Sequence, residues 1–346
     1  MQSILWFEVR TDVLENCLYN FTVMEKMLVS IVLCTYNGAK YLAQQVDSLL
    51  SQTYPVDEII IQDDGSSDGT LAMLRQYAAS HPSIKLYSNE GEHGVNSNFF
   101  SALRRASGEL IAISDQDDIW EPDKIEKQVA AIGDKLLCTC RSKPFTDDGS
   151  PVNYDSRTPN YDLPRMLYSS IPGHTMLINR RLLDMIPEQA VVGRLYYDVF
   201  LSLAAAANNS IVLVDEVLVH QRRYEGAATF YRADKHSRPS MGNGLYTLLW
   251  SLRHYRAIRP YLHEYFQRRY RLLRGIQAQG ETYEDVTAMA ALEGRSGLIN
   301  LLHLCLYHVK YRHHLFYTEG RGVVNYLRSI LYCVMQVYFY RHLLPK

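Results

Sequence analysis

Asp115, Asp117 and Asp118 put three carboxylates within four residues, directly after the apolar run Leu110 to Ile113 and beside Trp120 and Pro122. Carboxylates this close repel one another unless a cation lies among them, and hard divalent ions prefer oxygen ligands while leaving coordination positions for phosphate. Such an ion would offset the negative charge that builds on a diphosphate leaving group. An isolated Asp-x-Asp, by contrast, is more often a solvated acidic turn capping the next helix. A second cluster, Asp63-Asp64-Gly65-Ser66-Ser67-Asp68-Gly69-Thr70, follows the run Glu58 to Ile61. Gly65 supports a turn and Ser67 or Asp68 can cap a helix, whereas Asp64 is placed to accept hydrogen bonds from a base or ribose.

The elements that must position these residues alternate regularly. Leu28 to Cys34 is a continuous β-branched apolar run, Asn37-Gly38 punctuates it, and Leu42, Val46, Leu49 and Leu50 recur at helical spacing. The cycle repeats through Glu58 to Ile61 with a helix to about Tyr77, a short strand near Ile84 to Tyr87, the stripe Val95, Phe99, Leu103, and the strand Leu110 to Ile113. A helix opened by Pro122 then carries Ile125, Val129 and Ile132. Strands alternating with helices predict a mostly parallel sheet, and ligands gather at the carboxyl ends of such strands. Thr35-Tyr36-Asn37, Asp63-Asp64 and Asp115 to Asp118 all fall there. Residues 141–170 read as an irregular loop. After them come an apolar patch at Thr175 to Ile178, a helix over Tyr197 to Ala207, a strand over Ser210 to Val219, and helices from about Gly242 onward.

Composition bounds the rest. A chain of 346 residues holds one large domain plus an appendage. The net charge of −1 hides an asymmetry, +10 over residues 235–346 against −11 over residues 1–234. Six cysteines without paired spacing indicate neither a disulfide framework nor a zinc site and fit a reducing cytoplasm. Glu8, Arg10, Asp12, Glu15 and Asn16 break up the apolar residues of the first 26, so a secretory leader is not expected, and translation starting at Met24 or Met27 fits the first strand. The expected units are an extension (1–26), a catalytic domain (27–234) and a basic amphipathic helical region (235–346).

The string SIVLCTYNGAKYLAQQVDSLLSQTYPVDEIIIQDDGSSDGT, followed by GVNSNFFSALRRASGELIAISDQDDIWEPDKIEKQ, resembles the nucleotide-binding half of the family 2 glycosyltransferases, an inverting group with the GT-A fold. The resemblance covers about residues 28–230. It implies an α/β GT-A fold with a mostly parallel central sheet flanked by helices, a nucleotide-sugar donor, and a divalent cation, Mg2+ or Mn2+. By position, Thr35, Tyr36, Asn37 and Asp64 would hold the nucleotide side of the donor. Asp115 and Asp117 would meet the ribose and the metal-bound diphosphate, with Asp118 a further donor contact. Tyr196-Tyr197-Asp198 resembles the motif whose aspartate is the catalytic base, and an inverting transfer needs one carboxylate beside the acceptor hydroxyl. His174, in Gly173-His174-Thr175-Met176, falls near the acceptor pocket, as would Trp120 and Tyr197.

The sequence departs from the family at Val219-His220-Gln221-Arg222-Arg223-Tyr224, where relatives commonly carry Tyr-Arg-x-His. Aligning Arg222 puts Tyr224 in the histidine position, which leaves Arg222 to clamp phosphate and His220 to compensate, or the loop shifted in register. The resemblance further implies a bacterial surface-polysaccharide enzyme, such as an O-antigen or capsule rhamnosyl- or glucosyltransferase. Its donor would be dTDP-rhamnose or a UDP-hexose such as UDP-glucose, and its acceptor a polyprenyl-diphosphate-linked saccharide at the cytoplasmic face of the inner membrane. The basic tail, rich in Tyr, Trp and Leu, suits the headgroup region of that leaflet, or else packs on the catalytic domain. A nucleotidyl transferase would need a Gly-rich basic loop that Thr35 to Lys40 lacks. A catalytically degenerate member acting as a membrane-bound assembly partner is the other reading, and nucleic acid is not an expected partner.

Overall fold

The computed structural model describes residues 26–186, 196–225, 241–293, 295, 297–316 and 322–344. The expectations for the first 25 residues lie outside these.

Strand β1 (Val29–Thr35) leads to helix α1 (Ala39–Leu50), β2 (Glu58–Asp63), α2 (Thr70–Ser80), β3 (Ile84–Ser88), α3 (Val95–Arg105) and β4 (Leu110–Ser114). The two-residue β5 (Ile119–Trp120), α4 (Lys124–Ile132) and β6 (Leu137–Phe145) follow. Next come the short α5 (Leu163–Met166), β7 (Leu177–Asn179), α6 (Arg181–Asp184), α7 (Tyr197–Ala207) and β8 (Ile211–Arg222). Five helices close the chain: α8 (Met241–Gly275), α9 (Glu281–Glu293), α10 (Leu298–Lys310), α11 (Arg312–Leu315) and α12 (Val323–Met335), with a final 3-10 segment over Gln336–Leu343.

The eight strands form one sheet in the order β3-β2-β1-β4-β7-β6-β8-β5. The first four are parallel, with Ile31 beside both Ile59 and Ala112. Alternation along each strand sorts side chains to two cores, because successive residues point to opposite faces. Ile31, Leu33, Ile59 and Ala112 pack with Leu42 and Val46 of α1. Val32, Ile60 and Ile111 pack on the other face with Phe99, Leu103 and Phe200.

The second half departs from a simple alternation. β7 runs antiparallel to β4 and β6, and β5 antiparallel to β8. Part of the loop expected over 141–170 is strand, since β6 continues to Phe145 by pairing with β8 past irregularities at Cys140 to Ser142. The same pairing carries β8 beyond Val219 to Arg222.

The helical region shares a core with the sheet domain: Ile258, Leu262 and Phe266 of α8 belong to the cluster that holds Phe200 and Leu203 of α7. The joint is also polar. Tyr168 sends its hydroxyl between Glu293 Oε1 (2.7 Å) and His308 Nε2 (2.8 Å), and Asn160 and Arg165 bond the carbonyls of His314 and Leu315. Among the described residues, no helix is long and apolar enough to cross a membrane.

Candidate active site

The first polar loop is built from its second neighbour. Asp63 accepts from the Thr35 hydroxyl (2.8 Å) and from the amides of Gly65 and Ser66, which closes the turn after β2. Thr35 is 2 % exposed, so its side chain shapes the loop and is not open to a donor as expected. Asn37, at φ 48°, accepts from the Ser67 amide (2.8 Å) and likewise ties loop to loop. Tyr36 keeps its ring exposed. Asp64 accepts from Asn89 Nδ2 (2.6 Å) and the Gly94 amide (2.7 Å), with His93 Nδ1 at 3.1 Å, and so organises the loop before α3.

Gln116, which the sequence reading passed over, joins the first loop to the acidic one. Its amide donates to the Tyr36 carbonyl (3.0 Å) and accepts from the Tyr36 N–H (2.8 Å). A Cβ at position 38 would collide with this amide, which is why a glycine follows Asn37.

The acidic loop is held from β8. The Arg222 N–H bonds Asp118 Oδ1 (3.1 Å), its Nε bonds the Asp117 carbonyl (3.0 Å), and its other nitrogens meet Gln44 Oε1 and Asp147. The guanidinium is buried between the Tyr41 and Phe145 rings. Arg222, the residue expected to clamp phosphate, here fixes the acidic loop. Tyr224, in the position where relatives carry histidine, donates its hydroxyl to Asp117 Oδ2 (2.8 Å). His220 points away and meets Glu121 Oε1 (2.6 Å), so it does not compensate.

His174 is 3 % exposed and lies beneath the loop, its Nδ1 3.3 Å from Asp115 Oδ2 and 3.7 Å from Asp118 Oδ2, its Nε2 3.0 Å from Ser142. The residue expected as an acceptor contact is thus buried under the acidic loop, with its Nδ1 toward Asp115 and Asp118. Trp120, also expected near the acceptor, is 2 % exposed in the core with the Lys124 ammonium over its ring. Tyr197 is buried against Phe99, and its hydroxyl occupies the space a Cβ on Gly173 would need.

Burial raises the Asp118 carboxyl to about 7 against the pull of His174, and burial together with Asp115 raises Asp117. Burial depresses His174, but the Asp118 and Asp115 charges outweigh it and the net shift is upward. Asp115, Asp118 and His174 bring one ligand atom each within 4.8 Å of one another. Asp118 Oδ2 is buried without a hydrogen-bond partner, an orphan that a cation would satisfy. Two carboxylates and an imidazole suit Mn2+ or Mg2+, so the residues fit a divalent ion, with the caged set including His174.

Asp198 opens α7. Its oxygens accept from Ser170 Oγ (3.0 Å) and the Val199 amide (2.8 Å), and burial lifts its carboxyl to about 6, with Asp115 adding to the rise and Arg269 opposing it. Asp115 therefore acts electrostatically on Asp117, Asp118, His174 and Asp198 alike. Arg269, on α8, is 1 % exposed over the Tyr265 ring with Nε and Nη1 unpartnered. Neither Ser170 nor Arg269 carries a local sequence signal.

A parallel half-sheet with an acidic loop at the end of β4 defines a sugar-nucleotide-transferase fold. Residues 30–185 match the family described as Glycosyl transferase family 2. It is 27% identical over 208 residues to a chondroitin synthase of Escherichia coli, covering 59% of this chain and 30% of that protein. It is 38% identical over 107 residues to the E. coli UDP-Glc:alpha-D-GlcNAc-diphosphoundecaprenol beta-1,3-glucosyltransferase WfgD, covering 31% of this chain and 42% of that one. The chain thus spans less than half the length of either relative. The fold matches S. aureus TarS residues 1–349 in complex with UDP-GlcNAc, at TM-score 0.52 and 18% identity over 91% of this chain and 92% of that one. It also matches the Pyrobaculum calidifontis mannosyltransferase PcManGT in complex with GDP-Man and Mn2+, at TM-score 0.51 and 19% identity over 92% and 86%. These likenesses establish the GT-A fold.

Proposed function

We propose that the protein is an inverting, metal-dependent glycosyltransferase that moves a sugar from a nucleotide diphosphate to a hydroxyl of a lipid-linked saccharide in bacterial surface-polysaccharide synthesis. The observation that carries this reading is Asp198, a carboxylate raised to about 6 that lies within electrostatic reach of the acidic loop. A base with that pKa is ionised at neutral pH yet still basic enough to take a hydroxyl proton as attack proceeds. Ser170 and the Val199 amide fix the orientation of the carboxylate. Asp115, Asp118 and His174, with Asp117 held by Tyr224, would hold the divalent ion, which supplies charge to the departing diphosphate. Tyr36 and the loop around Asp64 would face the nucleotide.

The E. coli relative whose name gives UDP-Glc as donor and a diphosphoundecaprenol acceptor supports a lipid-linked substrate and UDP-glucose as donor; dTDP-rhamnose as the other candidate donor, and peripheral attachment at the cytoplasmic face of the inner membrane, are part of the proposal. Release of nucleoside diphosphate from a panel of nucleotide sugars tests the reading. Turnover that needs Mn2+ or Mg2+ and vanishes in Asp117→Ala is expected, and no release with any donor would favour a degenerate assembly partner instead.

A further inference from the structure

The helical region leaves three apolar stripes uncovered. On α10, Leu298 and Leu306 are 72% and 68% exposed, with Ile299 and Leu302 between them. On α12, Val323 and Val324 are 74% and 78% exposed, followed one and two turns on by Leu327 and Leu331. At the start of α8, Leu245, Leu249 and Leu252 repeat the pattern. Monomeric soluble proteins rarely leave so much contiguous aliphatic surface in water. The helices that carry the stripes adjoin: the Cys305 and Cys333 sulfurs, on α10 and α12, are 3.2 Å apart, and Ser251 of α8 donates to the Met335 carbonyl at the end of α12.

The charge around them is of one sign. Residues 241–263, 297–316 and 322–344 contain no Asp or Glu. They do contain Arg253 and Arg256, both exposed on α8, with Arg312 after α10 and Arg328 on α12. Among the described residues, the acidic residues of the region instead lie on α9 or late in α8, where Glu281 and Asp285 pair with Lys310 and Glu264 pairs with Arg268. A twofold interface between copies would set this basic surface against itself, whereas an anionic bilayer complements both its charge and its apolar side chains.

We propose that α10, α12 and the first turns of α8 form one docking face that lies in the headgroup region of an anionic lipid bilayer. The face deepens the peripheral-membrane part of the function proposed above. Leu and Val side chains enter the acyl boundary, the arginines meet lipid phosphates, and the helices lie flat, since none is fit to cross.

Flotation of the full chain with vesicles tests this. Binding is expected to vesicles containing phosphatidylglycerol, to be weaker to phosphatidylcholine alone, and to fall with added salt. The triple variant Leu298→Glu, Leu302→Glu, Leu306→Glu, on a solvent-facing stripe, should keep its circular dichroism and lose about tenfold or more in bound fraction. Val323→Ser with Leu327→Ser should act in the same direction. A wild type that stays with the soluble fraction, or a triple variant that floats undiminished, overturns the proposal, as does a concentration-dependent dimer that the triple variant abolishes. Nucleoside diphosphate release from UDP-glucose and dTDP-rhamnose, measured in parallel, separates the two readings. Flotation without release keeps the face and removes sugar transfer, and release without flotation does the reverse.

Discussion

Two polar centres of this molecule are built on opposite terms. At the strand ends, Asp115 and Asp117 stand half-open beside the buried Asp118, and the loops around them are tied down by Gln116, Arg222 and Tyr224. In the joint to the helical region, Glu293 and His308 are completely buried with the Tyr168 hydroxyl between them. The first centre gathers three carboxylates beside one imidazole, with Asp118 lifted to about 7 and Asp117 also raised, an arrangement that a bound cation would relieve. The second removes charge: burial lifts Glu293 to about 7 and drops His308 to about 3, so both tend to neutrality. Both centres leave buried polar atoms unpartnered, Asp118 Oδ2 in the first and Glu293 Oε2 and His308 Nδ1 in the second, so what sets the first apart is that it opens toward solvent through Asp115 and Asp117.

The comparison is broken most directly at Asp198. Asn in its place keeps the shape and removes the base, so transfer should fall by about 10²- to 10⁴-fold while donor binding persists. Steady-state kinetics beside calorimetric donor titration would check it, and unchanged turnover would remove Asp198 from the mechanism. Because the charged form is the active one, the wild-type rate should drop as pH falls through about 6.

A smaller effect is expected at Tyr224→Phe, which deletes the hydrogen bond to Asp117 without emptying its space. The apparent affinity for Mn2+ should change by several-fold, of the order of one charge-assisted hydrogen bond, with folding unaffected. Metal titration of donor turnover reads this, and an unchanged profile would show that the phenol plays no part in arranging the acidic loop.

Glu293→Gln should have the smallest effect on catalysis and the opposite sign in stability. The folded-state pKa of Glu293 is raised, so its contribution is full below its ordinary value of 4.5 and lost as pH rises through about 7. The amide cannot ionise, so the variant should melt higher than wild type at pH 8 and lose that advantage near pH 5. Thermal melts at the two values check this, and equal midpoints at pH 8 would show that Glu293 bears no burial penalty.

Local pattern determined a large share of this protein. The β-branched run from Leu28, the helical stripes of α1 and α3, and the acidic turn after β4 are written in periods of two and 3.6 residues, which neighbouring residues settle among themselves. The asymmetry of charge that leaves the tail basic is equally a property of the string. Tertiary structure decided what those residues face. The β6–β8 register brings Arg222 onto the Asp117 carbonyl, and the sheet closes over His174 and Trp120, partners and burial that no local pattern announces. The strand Arg141 to Phe145 is polar and contains Pro144, so only its partner strand makes it a strand. Each of these depends on residues tens to more than a hundred positions apart, and no local periodicity encodes which distant strand or helix will supply the partner.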